Sequence, residues 1–310
     1  MMENIGDAGL VFFSLLAGSA AKIGMAYWTQ KHARKNMEKV GEISAMYIHP
    51  VKSCRGWSIS EATATKLGLE CSNVYDRLFM LADEKNKYRH VNLRIEPLMA
   101  LIVPSLHVPN MHLDAPNMET LVLPLEFKAT PGSLIDCKVY DEHFKGVDCG
   151  DKASAWFCKY LKREGLRLLY RANVSECLHQ RSFSDEAPHM FLSTASLADL
   201  NERLAEPVPM RRFRPNFVIS GCSAYDEDNW EEVIIGTAHF KRLDTCRRCT
   251  LIMVDPETGQ KDPNSEPLQT LKSYRMEPGS SSPGFGNHFG LISSPGKICI
   301  GDGVYVMRKP

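Results

Sequence analysis

The sequence predicts an α+β protein whose core is built from β-barrel-like sheets. Three observations support this: short alternating or β-branched runs recur along most of the chain, turn residues separate them, and helical spacing occurs in only a few places. No βαβ rhythm and no internal repeat is present, which disfavours a doubly wound parallel sheet. The 310 residues, 44% of them hydrophobic, are enough for two domains.

The chain is expected to comprise an amino-terminal segment, 1–39, and two β-rich parts, 40–170 and 171–310. In the first part, strands are predicted at 40–48, 57–64, 73–81, 99–106, 120–125, 134–140 and 167–170, with one helix at 152–163. In the second part, helices are predicted at 196–204 and 268–274, and strands at 217–220, 232–235, 238–243, 250–254, 289–293 and 297–307. Ser196 and Asp199 have capping-box spacing. The Gly- and Ser-rich stretch 279–286 is a predicted loop.

The amino-terminal segment has the composition of a membrane anchor. Residues 8–21 carry no charge, and the apolar character continues past Lys22 to Tyr27 and Trp28, so that about twenty residues are available to cross a bilayer. Basic residues follow this stretch, which predicts a retained anchor with the rest of the chain in the cytosol. A buried or interfacial helix is the alternative. Modest hydrophobicity with a basic flank favours the mitochondrial outer membrane over the endoplasmic reticulum.

Charge and cysteine usage exclude some classes of partner. Lys plus Arg and Asp plus Glu both number 37, so no basic excess supports nucleic-acid binding, and a small-molecule partner is favoured. The ten cysteines are scattered along the chain, unlike those of secreted disulfide-rich domains, which indicates a reducing compartment such as the cytosol.

One motif combines two thiols with two guanidinium groups: Cys246, Arg247, Arg248 and Cys249. Neighbouring cations favour the thiolate, the form of cysteine that attacks an electrophile or binds a metal. The spacing leaves three interpretations: a redox dithiol, half of a zinc site, or one metal thiolate with a bystander. No second Cys-x-x-Cys completes a zinc site, and strand-like runs on both sides disfavour a thioredoxin-like helix. The non-functional alternative is a pair of unreactive thiols that are simply buried.

Basic residues near small turns form a second group of candidate ligands. Lys52 and Ser53 lie in a turn between two predicted strands, and an ammonium beside a hydroxyl suits a phosphate oxygen. Arg77 lies in a predicted apolar strand and Arg214 precedes another, and a buried guanidinium needs an anionic partner. Taken alone, the Lys52-Ser53 signal is weak, because a lysine in a turn is usually solvated.

Taken in order, these segments resemble the family of mitochondrial amidoxime-reducing components. These proteins carry the MOSC domain, named after the carboxyl-terminal domain of molybdenum cofactor sulfurase. The likeness runs from about residue 40 to 306 and implies a β-barrel-like MOSC domain preceded by a MOSC N-terminal β-rich extension. It is carried by His49-Pro-Val-Lys-Ser-Cys54, Asp76-Arg77, Arg94-Ile-Glu-Pro97, Asp148-Cys-Gly150, Leu192-Ser-Thr-Ala-Ser-Leu-Ala-Asp-Leu-Asn201, Phe213-Arg-Pro-Asn-Phe-Val-Ile-Ser-Gly221, Cys246-x-x-Cys249, Val254-Asp-Pro-Glu-Thr-Gly259, Pro267-Leu-x-Thr-Leu-Lys-Ser-Tyr274 and Phe285-Gly286.

The resemblance implies a molybdenum cofactor, in which a pterin dithiolene and one protein thiolate hold the metal. Position by position, that thiolate is Cys249, with Cys246 a neighbour. Asp185 corresponds to a carboxylate near the metal that orients a substrate nitrogen or relays a proton, the alternative being a surface loop carboxylate. The residues implied around the pterin and its phosphate are Lys52, Ser53, Arg77, Arg214 and Asn216.

The reaction that the resemblance implies is reduction of N-hydroxylated compounds such as amidoximes and hydroxylamines, with N-oxides, nitrite and nitrate as further candidates. No flavin, haem or nicotinamide site is evident in the sequence. The resemblance implies electrons from cytochrome b5 and its NADH-dependent reductase, held on the same membrane. A persulfide-bearing sulfur carrier and a non-catalytic membrane adaptor are the rival functions.

Three positions depart from the family pattern. Glu186-Ala187 stand where relatives often have small or hydroxyl residues, which weakens the expectation that this loop binds the cofactor phosphate. Arg247 adds a second cation beside the predicted metal thiolate. Asn92-Leu-Arg94 stands at the start of its motif, where relatives more usually have small residues, and this difference is expected to alter substrate access.

Overall fold

The described part of the chain is built from four sheets. The computed structural model describes residues 34–130, 132–171 and 182–309, and the predicted anchor lies outside them. Across these ranges, no helix combines the length and apolar character needed to span a bilayer.

The strands of the described residues are short, and most begin and end at a Gly, Pro, Asp or Asn turn. They are β1 (Glu38–Ile48), β2 (Trp57–Ile59), β3 (Glu61–Thr65), β4 (Gly68–Cys71), β5 (Val74–Tyr75), β6 (Phe79–Asp83), β7 (Arg89–His90), β8 (Val103–His107), β9 (Asn110–Asp114), β10 (Leu121–Pro124), β11 (Leu134–Val139), β12 (Glu142–Asp148), β13 (Leu166–Arg171), β14 (His189–Ser193), β15 (Phe217–Ser220), β16 (Trp230–Ile235), β17 (Ala238–Arg247), β18 (Gly284–Leu291), β19 (Gly296–Cys299) and β20 (Gly303–Arg308).

Three α-helices and several single-turn 3₁₀ helices lie between these strands in the same described ranges. The α-helices are α1 (Asp151–Leu161), α2 (Thr194–Glu202) and α3 (Leu268–Tyr274). The 3₁₀ helices are Arg34–Asn36, Glu84–Asn86, Pro97–Leu101, Met210–Phe213, Asp226–Asn229 and Thr250–Met253.

The largest sheet closes into a barrel because its first strand pairs on both edges. Its order is β15-β14-β18-β17-β16-β20-β1-β2, and β1 pairs with β15 as well as with β20. Glu42 lies opposite Ser220 in one pairing, and Glu38 lies opposite Val306 in the other. Closure removes the exposed edges that an open sheet would leave. The predicted parts 40–170 and 171–310 therefore share this barrel through β1 and β2.

A second closed barrel has the order β11-β12-β13-β6-β7. Helix α1 covers it, and Ala153, Phe157 and Leu161 on one helix face join the same apolar core as Leu166 and Leu168 of β13. The two remaining sheets have the orders β10-β9-β8 and β19-β3-β4-β5.

Aromatic side chains fill the larger barrel. Phe191 stacks on Phe289 with ring centroids 4.4 Å apart, and Phe217 and Phe240 meet Phe191 edge to face. All four rings are fully buried, and burial of each contributes about 1.5 to 3 kcal/mol relative to exposure. This core holds β14, β15, β17 and β18 together.

The structure confirms the α+β, β-rich class and corrects several local predictions. The strand predicted at 250–254 is wrong: Thr250–Met253 is a 3₁₀ helix, in which Ile252 N donates to the Cys249 carbonyl at 3.2 Å. A short apolar run fits either structure, so periodicity did not decide between them. Ser193, not Ser196, caps α2, because its side chain accepts from Ser196 N at 3.0 Å. The loop predicted at 279–286 ends earlier, where β18 begins at Gly284.

Arg77 does not lie in a strand, as the sequence had predicted. It occupies a turn between β5 and β6 with φ of 53°, in the left-handed region. This turn directs its guanidinium onto the neighbouring carboxylate of Asp76, a contact that alternation along an extended strand does not favour.

Candidate functional site

A solvent-open cleft of about 820 Å³ gathers the seven site residues that the sequence predicted. Five segments supply the predicted site residues: the turn after β1, the turn before β6, residues 184–187, the segment between Met210–Phe213 and β15, and the end of β17 with the 3₁₀ helix after it. The seven predicted site residues in its lining are Lys52, Ser53, Arg77, Asp185, Arg214, Asn216 and Cys249.

Lys52 and Asp185 form an ion pair at the cleft wall. The Lys52 side chain is 3% exposed and that of Asp185 is 42% exposed, and Lys52 Nζ also donates to the Phe183 carbonyl at 2.9 Å. Burial lowers the pKa of Lys52, although the carboxylate opposes this. Burial opposes ionisation of Asp185, but Lys52 outweighs it, so the pKa of Asp185 lies below its usual value. Asp185 therefore presents a carboxylate to the cleft at neutral pH.

Asp76 anchors the turn that carries Arg77. Its carboxylate is fully buried, pairs with the Arg77 guanidinium and accepts from His49 N at 2.7 Å. Desolvation acts against its ionisation, yet Arg77 and His49 hold the pKa of Asp76 well below the ordinary value. Burial and the nearby guanidinium of Arg214 lower the pKa of His49 to about 3, so this imidazole is neutral.

Arg214 has one guanidinium nitrogen without a partner. Its Nη1 donates to the Cys54 carbonyl at 2.7 Å, whereas Nη2 is buried and has no hydrogen-bond acceptor among the described residues. Burial and the charge of Arg77 lower the pKa of Arg214 to about 10, so it remains charged at neutral pH. An anionic or carbonyl ligand in the cleft would satisfy this donor.

Asn216 is fully buried and joins two strands through its side chain. Its Oδ1 accepts from Met190 N at 3.1 Å and its Nδ2 donates to the Tyr47 carbonyl at 3.3 Å. These bonds to β14 and β1 fix the cleft floor. An amide group has one further Nδ2 proton, so the same side chain can hold the floor and still donate to a ligand.

Three of the predicted ligands have left-handed backbone conformations. The φ angles are 70° at Ser53, 53° at Arg77 and 55° at Arg214. Such conformations cost non-glycine residues about 1 to 3 kcal/mol each, and they cluster at ligand sites where the surrounding fold holds them. Their coincidence on one cleft is therefore a structural indication of binding.

Cys249 follows the end of β17 and caps the 3₁₀ helix Thr250–Met253, where its side chain is half-buried. The adjacent arginines differ in their roles. Arg248 is buried and donates to the carbonyls of Phe285 at 2.7 Å and Phe213 at 3.0 Å. Arg247 pairs with Glu277 near the surface. The thiol therefore has one fixed buried cation beside it rather than two free ones.

Sequence reasoning missed a second constellation in the same cleft. His288 on β18 lies 2.7 Å from Asp244 through Nδ1 and also hydrogen-bonds Cys246. Tyr140 lines the cleft as well, with its hydroxyl 3.1 Å from an Arg94 nitrogen. Asp244 and His288 are cross-strand partners between β17 and β18. The Phe285-Gly286 motif lies close to His288, but its register opposite β17 was not readable from either segment alone.

The comparisons with known proteins agree with this architecture. The model of the MOSC N-terminal beta barrel domain matches residues 40–164, and the model of the MOSC domain matches residues 179–305. Mitochondrial amidoxime reducing component 2 of Rattus norvegicus is 37% identical over 311 residues, which cover 93% of this chain and 90% of that protein.

Two further relatives extend the likeness over nearly the whole chain. Mitochondrial amidoxime-reducing component 1 of Homo sapiens is 35% identical over 342 residues, covering 99% of this chain and 100% of that protein. Its counterpart in Mus musculus is 38% identical, covering 94% of this chain and 90% of that protein. The chain therefore belongs to the MOSC family, in the group of the mitochondrial amidoxime-reducing components.

Proposed function

We propose that this protein is a molybdenum-cofactor-dependent reductase of N-hydroxylated compounds, including amidoximes, hydroxylamines and N-oxides, with nitrite and nitrate as further substrates. One observation carries the proposal: the Cys249 thiol shares a cleft with three basic side chains of the turns, Lys52, Arg77 and Arg214. A thiolate suits a soft metal centre, and the cations suit a phosphate-bearing pterin.

The donor set of the cleft fits this cofactor. The unpartnered Nη2 of Arg214 offers a hydrogen bond to an anionic or carbonyl oxygen, and Lys52 and Ser53 lie in a strained turn that directs them toward the same space. Cys249 would supply the protein thiolate to the metal. Two carboxylates in the lining, Asp185 and Glu186, oppose a nearby phosphate, so we expect the turns after β1 and before β6 to hold the phosphate instead.

When bound, the cofactor supplies two-electron chemistry at its metal. The chain's own residues bind the cofactor, orient the substrate and protonate it. The ionised Asp185 carboxylate lies at the cleft opening, where it accepts a hydrogen bond from a substrate amino group and so orients the nitrogen that is reduced. Lys52 holds this carboxylate in place. The closed barrels under the cleft keep these side chains fixed.

Electrons are proposed to come from cytochrome b5 and its NADH-dependent reductase. The relatives themselves are named as mitochondrial proteins. We propose the outer mitochondrial membrane for this chain, with the catalytic part facing the cytosol. Its predicted amino-terminal helix would hold it there beside its electron donors, which raises their effective concentration.

Elemental analysis of the purified full chain tests the proposal. We expect about one molybdenum per chain and NADH-dependent reduction of benzamidoxime when both electron-transfer proteins are added. Cys249→Ala should lose the metal and the activity together. Cys246→Ser should keep the metal and a measurable rate, and Cys299→Ser, at the end of β19, should match the wild type. Equal and total loss in both motif variants would instead support a dithiol mechanism.

The rival functions give different results in the same experiment. A sulfur carrier would contain no molybdenum but would carry a persulfide that cyanide releases as thiocyanate. A membrane adaptor would show neither metal, persulfide nor reduction. Either result would overturn the proposed reductase.

A further inference from the structure

A chain of three hydrogen-bonded side chains leads from the surface into the cleft. Asp244 Oδ1 lies 2.7 Å from His288 Nδ1, and the His288 ring hydrogen-bonds the thiol of Cys246. Asp244 and Cys246 are two residues apart on β17, beside the register shift between Thr245 and Arg247, and both side chains reach His288. Both His288 and Cys246 line the cleft that holds Cys249.

The chain has one exposed end. The Asp244 side chain is 60% exposed, whereas His288 and Cys246 are both buried. Glu186, half exposed, is a second carboxylate at the outer end, with its Oε2 3.6 Å from His288 Nδ1. Solvent therefore reaches the carboxylates, and the imidazole connects them to a thiol inside the cleft.

The charges around His288 favour a thiolate beside an imidazolium. Desolvation opposes ionisation of Cys246, but Arg248 and His288 outweigh it and lower the thiol pKa. Desolvation also opposes protonation of His288, but Cys246 and Asp244 raise its pKa to about 10. The hydrogen bond from His288, together with the charges of Arg242 and Arg247, lowers the pKa of Asp244 and keeps it ionised. The ring thus holds a proton between two acceptors.

We propose that Asp244, His288 and Cys246 form the path that delivers protons to the substrate in the cleft. This inference rests on the proposed reductase function. A substrate and cofactor that fill the cleft exclude water from its interior, so protons consumed there must arrive through side chains. Cys246 is the donor that faces the substrate, and His288 and Asp244 position and recharge it.

The reaction balances with this path in place. Reduction of an amidoxime breaks its N–O bond, takes two electrons from the electron-transfer proteins, and takes up two protons. One proton is bound by the nitrogen, which becomes the amidine N–H, and the other by the departing hydroxyl, which leaves as water. His288 passes a proton to the Cys246 thiolate, the thiol gives it to that oxygen, and His288 recovers a proton from solvent beside Asp244 and Glu186.

Kinetics of the metal-loaded full chain test the path against a purely structural role for the three residues. His288→Gln should lower kcat for benzamidoxime about 10²-fold, the usual scale of general acid catalysis, with KM changed less than twofold. Imidazole in the buffer should restore part of the rate. Asp244→Asn, at an exposed position where folding is not at risk, should lower kcat less and shift its pH profile. The matched control is His239→Gln on β17, whose Nε2 lies 2.8 Å from Glu232 outside the cleft lining, and its kcat and KM should equal those of the wild type.

NMR of histidine labelled with ¹³C at Cε1 gives a readout that does not depend on activity. The His288 resonance is assigned by its absence from the spectrum of His288→Gln. In the wild type it should keep the chemical shift of a protonated imidazole to about pH 10. In Cys246→Ser the same resonance should titrate at lower pH. An unchanged titration in Cys246→Ser, or a wild-type kcat and pH profile in His288→Gln, would overturn the path while wild-type reduction remains. A wild type without metal or reduction would defeat the proposed function itself, and the path with it.

Discussion

The stability that an ion pair contributes to this protein depends on how deeply its side chains are buried. Asp76 is fully buried, and its side chain is 1% exposed beside an Arg77 side chain that is 14% exposed. Removing one partner of a buried pair leaves an uncompensated charge, which costs far more than loss of a surface pair. The Asp76–Arg77 pair also sets the left-handed turn that brings Arg77 to the cleft.

Asp76→Asn should therefore be strongly destabilising. The asparagine oxygen can still accept from His49 N, so the substitution removes mainly the charge. We expect urea denaturation to show a loss of about 3 kcal/mol in the free energy of unfolding. The matched control is Asp136→Asn, because Asp136 is 69% exposed and pairs with Lys145 at the surface, and its loss should be below about 1 kcal/mol. Equal losses in both variants would show that the buried pair does not hold the turn.

At the scale of elements, irregular pairing between β17 and β18 builds one side of the cleft. The register shifts twice, between Arg242 and Asp244 and between Thr245 and Arg247. Such bulges bend a strand and redirect its side chains. They let Asp244 meet His288 while the chain turns at Cys249 into the 3₁₀ helix. Gly286 lies in this irregular stretch with φ of 76°.

Gly286→Ala should disturb the cleft more than an equally strained glycine elsewhere. A Cβ at this position would lie 2.7 Å from the Phe191 carbonyl oxygen and 2.5 Å from Met190 Cε, whereas at Gly279, with φ of 79°, it would meet nothing within 4 Å. We expect Gly279→Ala to cost about 1 kcal/mol from the backbone alone. Gly286→Ala should cost about 2 to 4 kcal/mol, because overpacking adds to the same strain.

Thermal and urea unfolding of both glycine variants measure this difference. Metal content gives a second readout, since displacement of β18 moves the Arg248 contacts beside Cys249. Equal stability of the two variants would show that β18 shifts freely and that the close contact with β14 is not required.

At the scale of the whole molecule, the site exists only because distant segments close two barrels. The cleft takes residues from Lys52 to His288, and β1 completes a barrel whose other strands come mainly from beyond residue 189. The fold also buries His90 and His189, neither of which lines the cleft. His189 is fully buried, with its ring stacked on Phe217. Burial lowers the pKa of His189 and of His90 to about 4 in each case.

These histidines should lower the free energy of unfolding in acid, at pH values higher than those at which carboxylates titrate. An imidazole whose pKa is lowered on folding is neutral in the folded state, and the unfolded chain binds a proton near pH 6.5, so stability falls as pH drops from about 6.5 toward 4. For His189 the loss between pH 7 and pH 5 should be about 2 kcal/mol. His189→Phe, which keeps the aromatic packing, should remove that part of the slope in urea titrations. The matched control is His143→Gln, which removes a histidine at an exposed position of β12.

The sequence by itself determined the β-rich class, the three α-helices and the set of candidate ligands. Apolar periodicity over 151–161 or 268–274 is a local property, and the motifs around Lys52, Arg214 and Cys249 are contiguous in the chain. It failed at 250–254 and at Arg77, where a short apolar run or a single residue has more than one local solution. Tertiary contacts chose between these solutions.

Only the tertiary structure decided the closure of the larger barrel by β1, the left-handed turns at three ligands, and the pairing of Asp244 with His288. These features depend on register between segments that are far apart in the chain, 44 residues in the case of Asp244 and His288. A slip of one residue would turn each side chain to the opposite face of its sheet. The sequence therefore specified which groups are present, and the pairing of distant strands specified which of them meet.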